Sequence, residues 1–147
     1  MRYLCDSNVF VALVTLAHIH HRVALQWFDG LGVDDGADFC RMTQSSFLRL
    51  LTTDQFMRPH TRTNEQALTI LSTTMMDIRM GFAEEPPGLE KGWHMLASDT
   101  RHAPKLWMDA YLAAFAQLGG MAFVTFDKRF RQFASLDLIV LNSAIAP

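Results

Sequence analysis

Cysteine, lysine and long apolar runs are all scarce in this sequence, and each scarcity excludes a class of protein. Two cysteines in 147 residues, Cys5 and Cys40, cannot build a disulfide framework. No CxxC pair occurs, which excludes a cysteine-rich zinc module. The longest apolar stretch, Val9 to Ala17, is about half the roughly 18 residues that a membrane span needs. Arg2 ahead of that stretch gives it the outline of a signal peptide. Asp6 and Asn8 break the outline, however, and no small-x-small cleavage site follows before His18. The expectation is a reducing, cytoplasmic location without a membrane partner. Only three of the thirteen cations are lysine, and the net charge is −2, so a generally basic nucleic-acid glove is excluded. No internal repeat or low-complexity tract is present.

Half the residues are hydrophobic and 19% are charged, the balance of a globular chain. The length predicts one domain over 1–147 with one real core. Tyr3 to Cys5 reads as a short strand, followed by a helix over Val9 to Leu16. His21 to Leu31 carries apolar residues at helical spacing, and Gly30 to Asp38 reads as a loop. Phe39 to Met42 is expected to be the second strand, with Ser45 or Ser46 capping the next helix. Another helix opens at Asn64, with Ala67, Leu68, Leu71, Met75 and Ile78 on one stripe. Phe82 and Ala83 suggest a brief strand. Leu89 to Leu96 and Leu106 to Leu118 are helical, and Gly119-Gly120 stops the second of them. Ala122 to Phe126 and Leu138 to Leu141 are continuous apolar runs, as in strands buried on both faces. Strands that alternate with helices predict a mainly parallel sheet between two helical layers, an α/β/α sandwich. In such folds the site lies beyond the carboxyl ends of the strands.

Two aspartates fall at such ends. Asp6 closes the first strand, and Asp127 follows the strand ending at Phe126. Asp109 is the one residue between Leu106 and Ala116 that is not hydrophobic, near the start of its helix. A carboxylate in that setting is costly to desolvate without a cation or hydrogen-bond donors. Three carboxylates converging on one point would repel one another, and a hard divalent cation resolves the repulsion. Mg2+ or Mn2+ suits an oxygen ligand set, and such an ion activates water for phosphodiester hydrolysis. Each aspartate also has a plainer reading: Asp6 or Asp109 as a helix cap, and Asp127 as a turn residue.

Four segments, in order along the chain, resemble the PIN-domain ribonucleases, and in particular their VapC toxin branch. Asp6-Ser7-Asn8-Val9 is similar to the opening acidic motif. Ser46-Phe47-Leu48-Arg49-Leu50-Leu51-Thr52 resembles the helix after the second strand. Asp109-Ala110-Tyr111-Leu112-Ala113-Ala114 and Val124-Thr125-Phe126-Asp127-Lys128-Arg129-Phe130 resemble the later acidic motifs. The resemblance implies a PIN-like fold. It also implies a Mg2+- or Mn2+-dependent endoribonuclease that acts on structured cellular RNA, the toxin of a type II toxin–antitoxin pair. A VapB-type antitoxin and a homodimeric state are implied with it. By the same resemblance, Asp6 and Asp109 are the primary metal ligands and Asp127 completes the acidic cluster. Asn8 and Thr125 are supporting polar groups. Where the family has a glutamate after the second strand, this sequence has Gln44. An amide lacks the charge that strengthens cation binding, so a second metal site is expected to be the weaker one.

Lys128, Arg129 and Arg131 directly follow Asp127 and suit contact with RNA phosphate; a solvated helix face is the alternative. Arg49 sits between leucines and is expected to pair with an acid inside the fold, with contact to RNA phosphate as the alternative. His18, His20 and His21 read as a polar connection, because no second His/Cys cluster completes a metal site. Trp27, Trp93 and Trp107 lie among apolar neighbours and read as core or subunit interface. Two other functions stay open. One is a PIN module that binds RNA or protein without cleaving. The other is a receiver-like phosphotransfer domain, disfavoured because only Lys91, Lys105 and Lys128 are available to face its pocket.

Overall fold

Side-chain alternation in two short strands sets the layering. The computed structural model describes residues 1–142. The chain runs β1 (Arg2–Cys5), α1 (Ser7–Val14), α2 (His21–Asp29), β2 (Gly36–Phe39), α3 (Arg41–Leu51), α4 (Asp54–Met57) and α5 (Asn64–Thr74). It continues through β3 (Met80–Phe82), α6 (Leu89–Ala97), α7 (Leu106–Leu118), β4 (Ala122–Thr125), a 3-10 turn (Lys128–Gln132) and β5 (Leu138–Val140). In β1, Leu4 packs into the core shared with α6 and α7, while Cys5 packs into the core under α1, α3 and α5. In β4, Phe123 and Val124 divide between the same two cores. Helices therefore cover both faces, and the expected α/β/α sandwich is observed.

The sheet order is β3-β2-β1-β4-β5, with every pair parallel. The chain first builds outward from β1 to β3, then returns to lay β4 on the other side of β1. The order reverses between β1 and β4, and the crevice beyond their carboxyl ends is where a doubly wound sheet places its ligands. Asp6 and Asp127 follow those two strands directly.

The second strand lies earlier than the sequence suggests, at Gly36–Phe39 rather than Phe39–Met42. Asp38, read as loop, is a strand residue and almost fully buried. It is tolerated because Arg2 of β1 answers it: Arg2 Nε donates to Asp38 Oδ2 at 2.8 Å, and Nη2 donates to Oδ1. A Cβ at Gly36 would run into the Arg2 guanidinium, and one at Gly81 would meet both partners, so two glycines make room for the pair. Arg2 is half exposed and can turn to water. Asp38→Ala is therefore expected to lower stability by about 1–2 kcal/mol rather than by the larger loss of a fully buried pair. Urea denaturation measures this, and an unchanged midpoint would contradict it.

The shift moves the next helix start as well. Neither Ser45 nor Ser46 caps α3. Cys40 is the N-cap, its N–H donating to Thr43 Oγ1 at 2.9 Å while the Thr43 hydroxyl donates back to the Cys40 carbonyl at 3.1 Å. The apolar stripe of α5 is also shorter than expected. Ala67 is buried, but Leu68 and Ile78 are exposed, and the helix ends at Thr74 before Met75 and Ile78. Trp27 and Trp93 are half-buried, whereas Trp107 is exposed. Both cysteines are buried and unpaired. Among the described residues, no helix is long and apolar enough to cross a membrane.

Candidate metal centre

The site is assembled from the ends of three elements. Asp6 occupies the N-cap position of α1, with φ −62° and ψ 147°, yet its carboxylate caps nothing. Instead, Thr125 Oγ1 donates to Asp6 Oδ2 at 2.7 Å, and Ser7 Oγ reaches Oδ1 at 3.4 Å. The Asp6 backbone N–H donates to the Val124 carbonyl at 2.9 Å and so ties the end of β1 to β4. Asp109 is the fourth residue of α7, past the cap position held by Lys105. Asp127 does act as a turn residue: its Oδ1 accepts from Arg129 N at 2.9 Å at the start of the 3-10 turn.

The three carboxylates line one cleft of about 220 Å3, together with Asn8, Thr43, Ser46 and Arg129. Thr125 is fully buried behind it and joins two of them, donating to Asp6 and accepting from Asp127 N at 3.0 Å. Burial pushes the Asp6 carboxyl above its ordinary range; the Thr125 hydroxyl and the Ser7 N–H oppose this, and Asp109 and Asp127 add to it. Burial also raises Asp109, with Arg129 opposing. Asp127 is held below the usual carboxylate range by the Arg129 guanidinium.

This donor chemistry fits a hard divalent cation. Three carboxylates face one space, and Asn8 Oδ1 is buried without a hydrogen-bond partner. The carboxylates are not gathered round a single point, however. Among the described residues, no group of three His, Cys, Asp or Glu stands close enough to hold one ion. Asp127 is turned to Arg129, whose Nε and Nη2 donate to Oδ2 at 2.8 and 2.6 Å.

The supporting residues divide. Asn8 lines the cleft and Thr125 buttresses it, whereas Gln44 is not among the lining residues and accepts from the exposed Arg41. The residues of α3 that face the cleft are Met42, Thr43 and Ser46. Their involvement follows from the start of α3 at Arg41, ahead of the Ser45 or Ser46 cap that the sequence suggests. Of the three cations after Asp127, Arg129 lines the cleft, while Lys128 and Arg131 are exposed outside it. Arg49 forms no ion pair among the described residues; it borders a separate, mostly apolar depression of about 390 Å3 between α3 and α5.

Comparison with known proteins matches the chain to one family and to solved structures of the same fold. A family profile for the PIN domain matches residues 3–136. Ribonuclease VapC41 of Mycobacterium tuberculosis is 41% identical over 142 residues, which is 94% of this chain and 97% of the relative. Among solved structures, VapBC2 from Rickettsia felis, bound to a DNA fragment from its promoter, superposes with a TM-score of 0.70 at 13% identity. That match covers 97% of this chain and 100% of the other. The sarcin-ricin loop cleaving toxin VapC20 of Mycobacterium tuberculosis superposes with a TM-score of 0.64 at 15% identity, covering 92% of this chain and 97% of the other.

Proposed function

Because the chain belongs to the PIN-domain family, we propose that it is a metal-dependent endoribonuclease, the toxic member of a type II toxin–antitoxin pair, folded as one domain. The observation that carries this reading is the delivery of Asp6, Asp109 and Asp127 to one cleft by β1, α7 and the end of β4. Asp6 and Asp109 would hold Mg2+ or Mn2+, with Asp127 completing the set. When bound, such an ion supplies a water of lowered pKa and neutralises a phosphodiester oxygen. Thr125 keeps Asp6 oriented through its 2.7 Å hydrogen bond and fixes the backbone at Asp127. Asn8 offers a free carbonyl oxygen to the ion's water shell. Lys128, Arg129 and Arg131 supply local positive charge for the RNA backbone, which the overall charge of −2 does not.

The relatives' printed names support the ribonuclease assignment, and the VapBC complexes among the structural neighbours support a VapB-type antitoxin as partner. A homodimer is proposed on the same family grounds. Two unpaired, buried cysteines suit a reducing cytoplasm.

Incubating the purified full chain with total RNA, in Mn2+ or in chelator, tests the reading. Cleavage in Mn2+ that stops in chelator is the expected result. A second reading, a PIN module that binds RNA or protein without cutting, is favoured by the Asp127–Arg129 pair, which occupies one of the three carboxylates. RNA binding without cleavage in either condition would establish that module instead.

A further inference from the structure

Arg129 occupies the cleft as a cation does. Its guanidinium lies across both oxygens of Asp127, with Nε at 3.1 Å from Oδ1 and 2.8 Å from Oδ2, and Nη2 at 2.6 Å from Oδ2. The Arg129 backbone N–H takes a further position on Oδ1. A carboxylate has about four lone-pair sites, and three N–H groups of this one residue make four contacts with them. The positive field of Arg129 also reaches Asp109 and Asp6. Lys128 and Arg131, its neighbours on the same turn, are outside the cleft.

We propose that Arg129 is a built-in competitor of the divalent ion: its side chain neutralises the acidic cleft in the ion's place and must leave Asp127 before that carboxylate can coordinate. The inference rests on the metal-centre reading above and deepens it. Release needs no rearrangement of the turn, because the backbone N–H of Arg129 holds the cap on Asp127 whatever its side chain does. The side chain is more than half exposed, so the guanidinium can swing outward into water. From the rim of the cleft, the freed fork is placed to take two oxygens of an RNA phosphodiester, a geometry that guanidinium matches and ammonium does not. The same residue then serves as counter-charge before an ion binds and as phosphate contact afterwards.

The test is an Mn2+ titration by calorimetry at fixed ionic strength, on wild type, Arg129→Ala, Arg129→Lys and Lys128→Ala. Arg129→Ala retains the backbone cap, and thermal unfolding checks that it folds. It is expected to bind Mn2+ roughly three- to tenfold more tightly than wild type, the scale of losing one well-formed, partly exposed ion pair as competitor. Arg129→Lys, which keeps the charge but loses the fork, should fall between them. Lys128→Ala removes the same charge next door and should stay within about twofold of wild type, because charges exposed to salt are screened. Equal or weaker binding by Arg129→Ala, with wild type still binding Mn2+, overturns the inference alone. So does an equal gain in Lys128→Ala, which would reduce the effect to net charge. Failure of all four proteins to bind Mn2+ overturns the metal-centre reading itself.

Discussion

Asp6→Asn is expected to abolish metal-dependent RNA cleavage while making the metal-free protein more stable. The loss of cleavage should be roughly 100-fold or more, since even residues that only orient metal ligands cost 10–100-fold when removed. The gain in stability follows from burial. Asp6 has a folded pKa above its unfolded value of about 3.8, so the folded protein holds the proton more tightly and the ionised form opposes folding. That opposition is absent below the unfolded value, grows as pH rises through the raised folded value, and is complete above it. In chelator at pH 7.5, Asp6→Asn should therefore melt above wild type, and the gap should close as pH falls towards 4. Added Mn2+ should raise the wild-type melting temperature and leave the variant unchanged, because only a bound ligand stabilises by mass action. A variant that melts below wild type at pH 7.5 in chelator would contradict the electrostatic account of this site.

Phe47→Ala is expected to be the most damaging single truncation of the core. Phe47 is fully buried on α3, its ring 5.3 Å from that of Phe39 on β2 and 6.4 Å from that of Phe10 on α1. Phe10 and Phe39 stack on each other at 3.8 Å, so three elements meet in one aromatic cluster. Removing a buried phenylalanine costs about 3–5 kcal/mol, a large fraction of the roughly 5–15 kcal/mol that holds a domain together. The melting temperature should fall by roughly 10 °C. Activity at low temperature should fall too, since α1 and α3 carry Asn8, Thr43 and Ser46 to the cleft. A fall of only a degree or two would mean that the cluster repacks around the void.

How far the sequence revealed this protein depended on whether a residue obeyed the rule for its element. The strands at Tyr3–Cys5 and Ala122–Phe126 are legible because both are apolar but for Thr125, as strands buried on two faces tend to be. Their carboxyl ends pointed to Asp6 and Asp127, and the lone acid of an apolar helix pointed to Asp109; the three do share a cleft. The second strand was misplaced because Asp38 argues against a strand, and only its partner on β1, 36 residues away, makes it tolerable. The cap of α3 was missed because a Cys–Thr pair does the work usually given to serine. The motif resemblance points to Gln44, but the helix turns it out of the cleft and brings Thr43 and Ser46 in. The pairing of Arg129 with Asp127 was not legible either. Three cations within four residues look equivalent in sequence, and the 3-10 turn selects one of them.

The reversal of strand order between β1 and β4 also governs when the protein becomes dangerous to the cell that makes it, if it is the nuclease proposed here. The hydrogen bond from Thr125 to Asp6 closes a loop of 119 residues. A ribosome that has synthesised everything up to α7 has delivered Asp6 and Asp109, but not β4, the second strand that lies against β1, nor Asp127. On that reading, a nascent chain that ends with α7 lacks both β4 and Asp127, and the acidic cleft is complete only when the last fifth of the protein arrives.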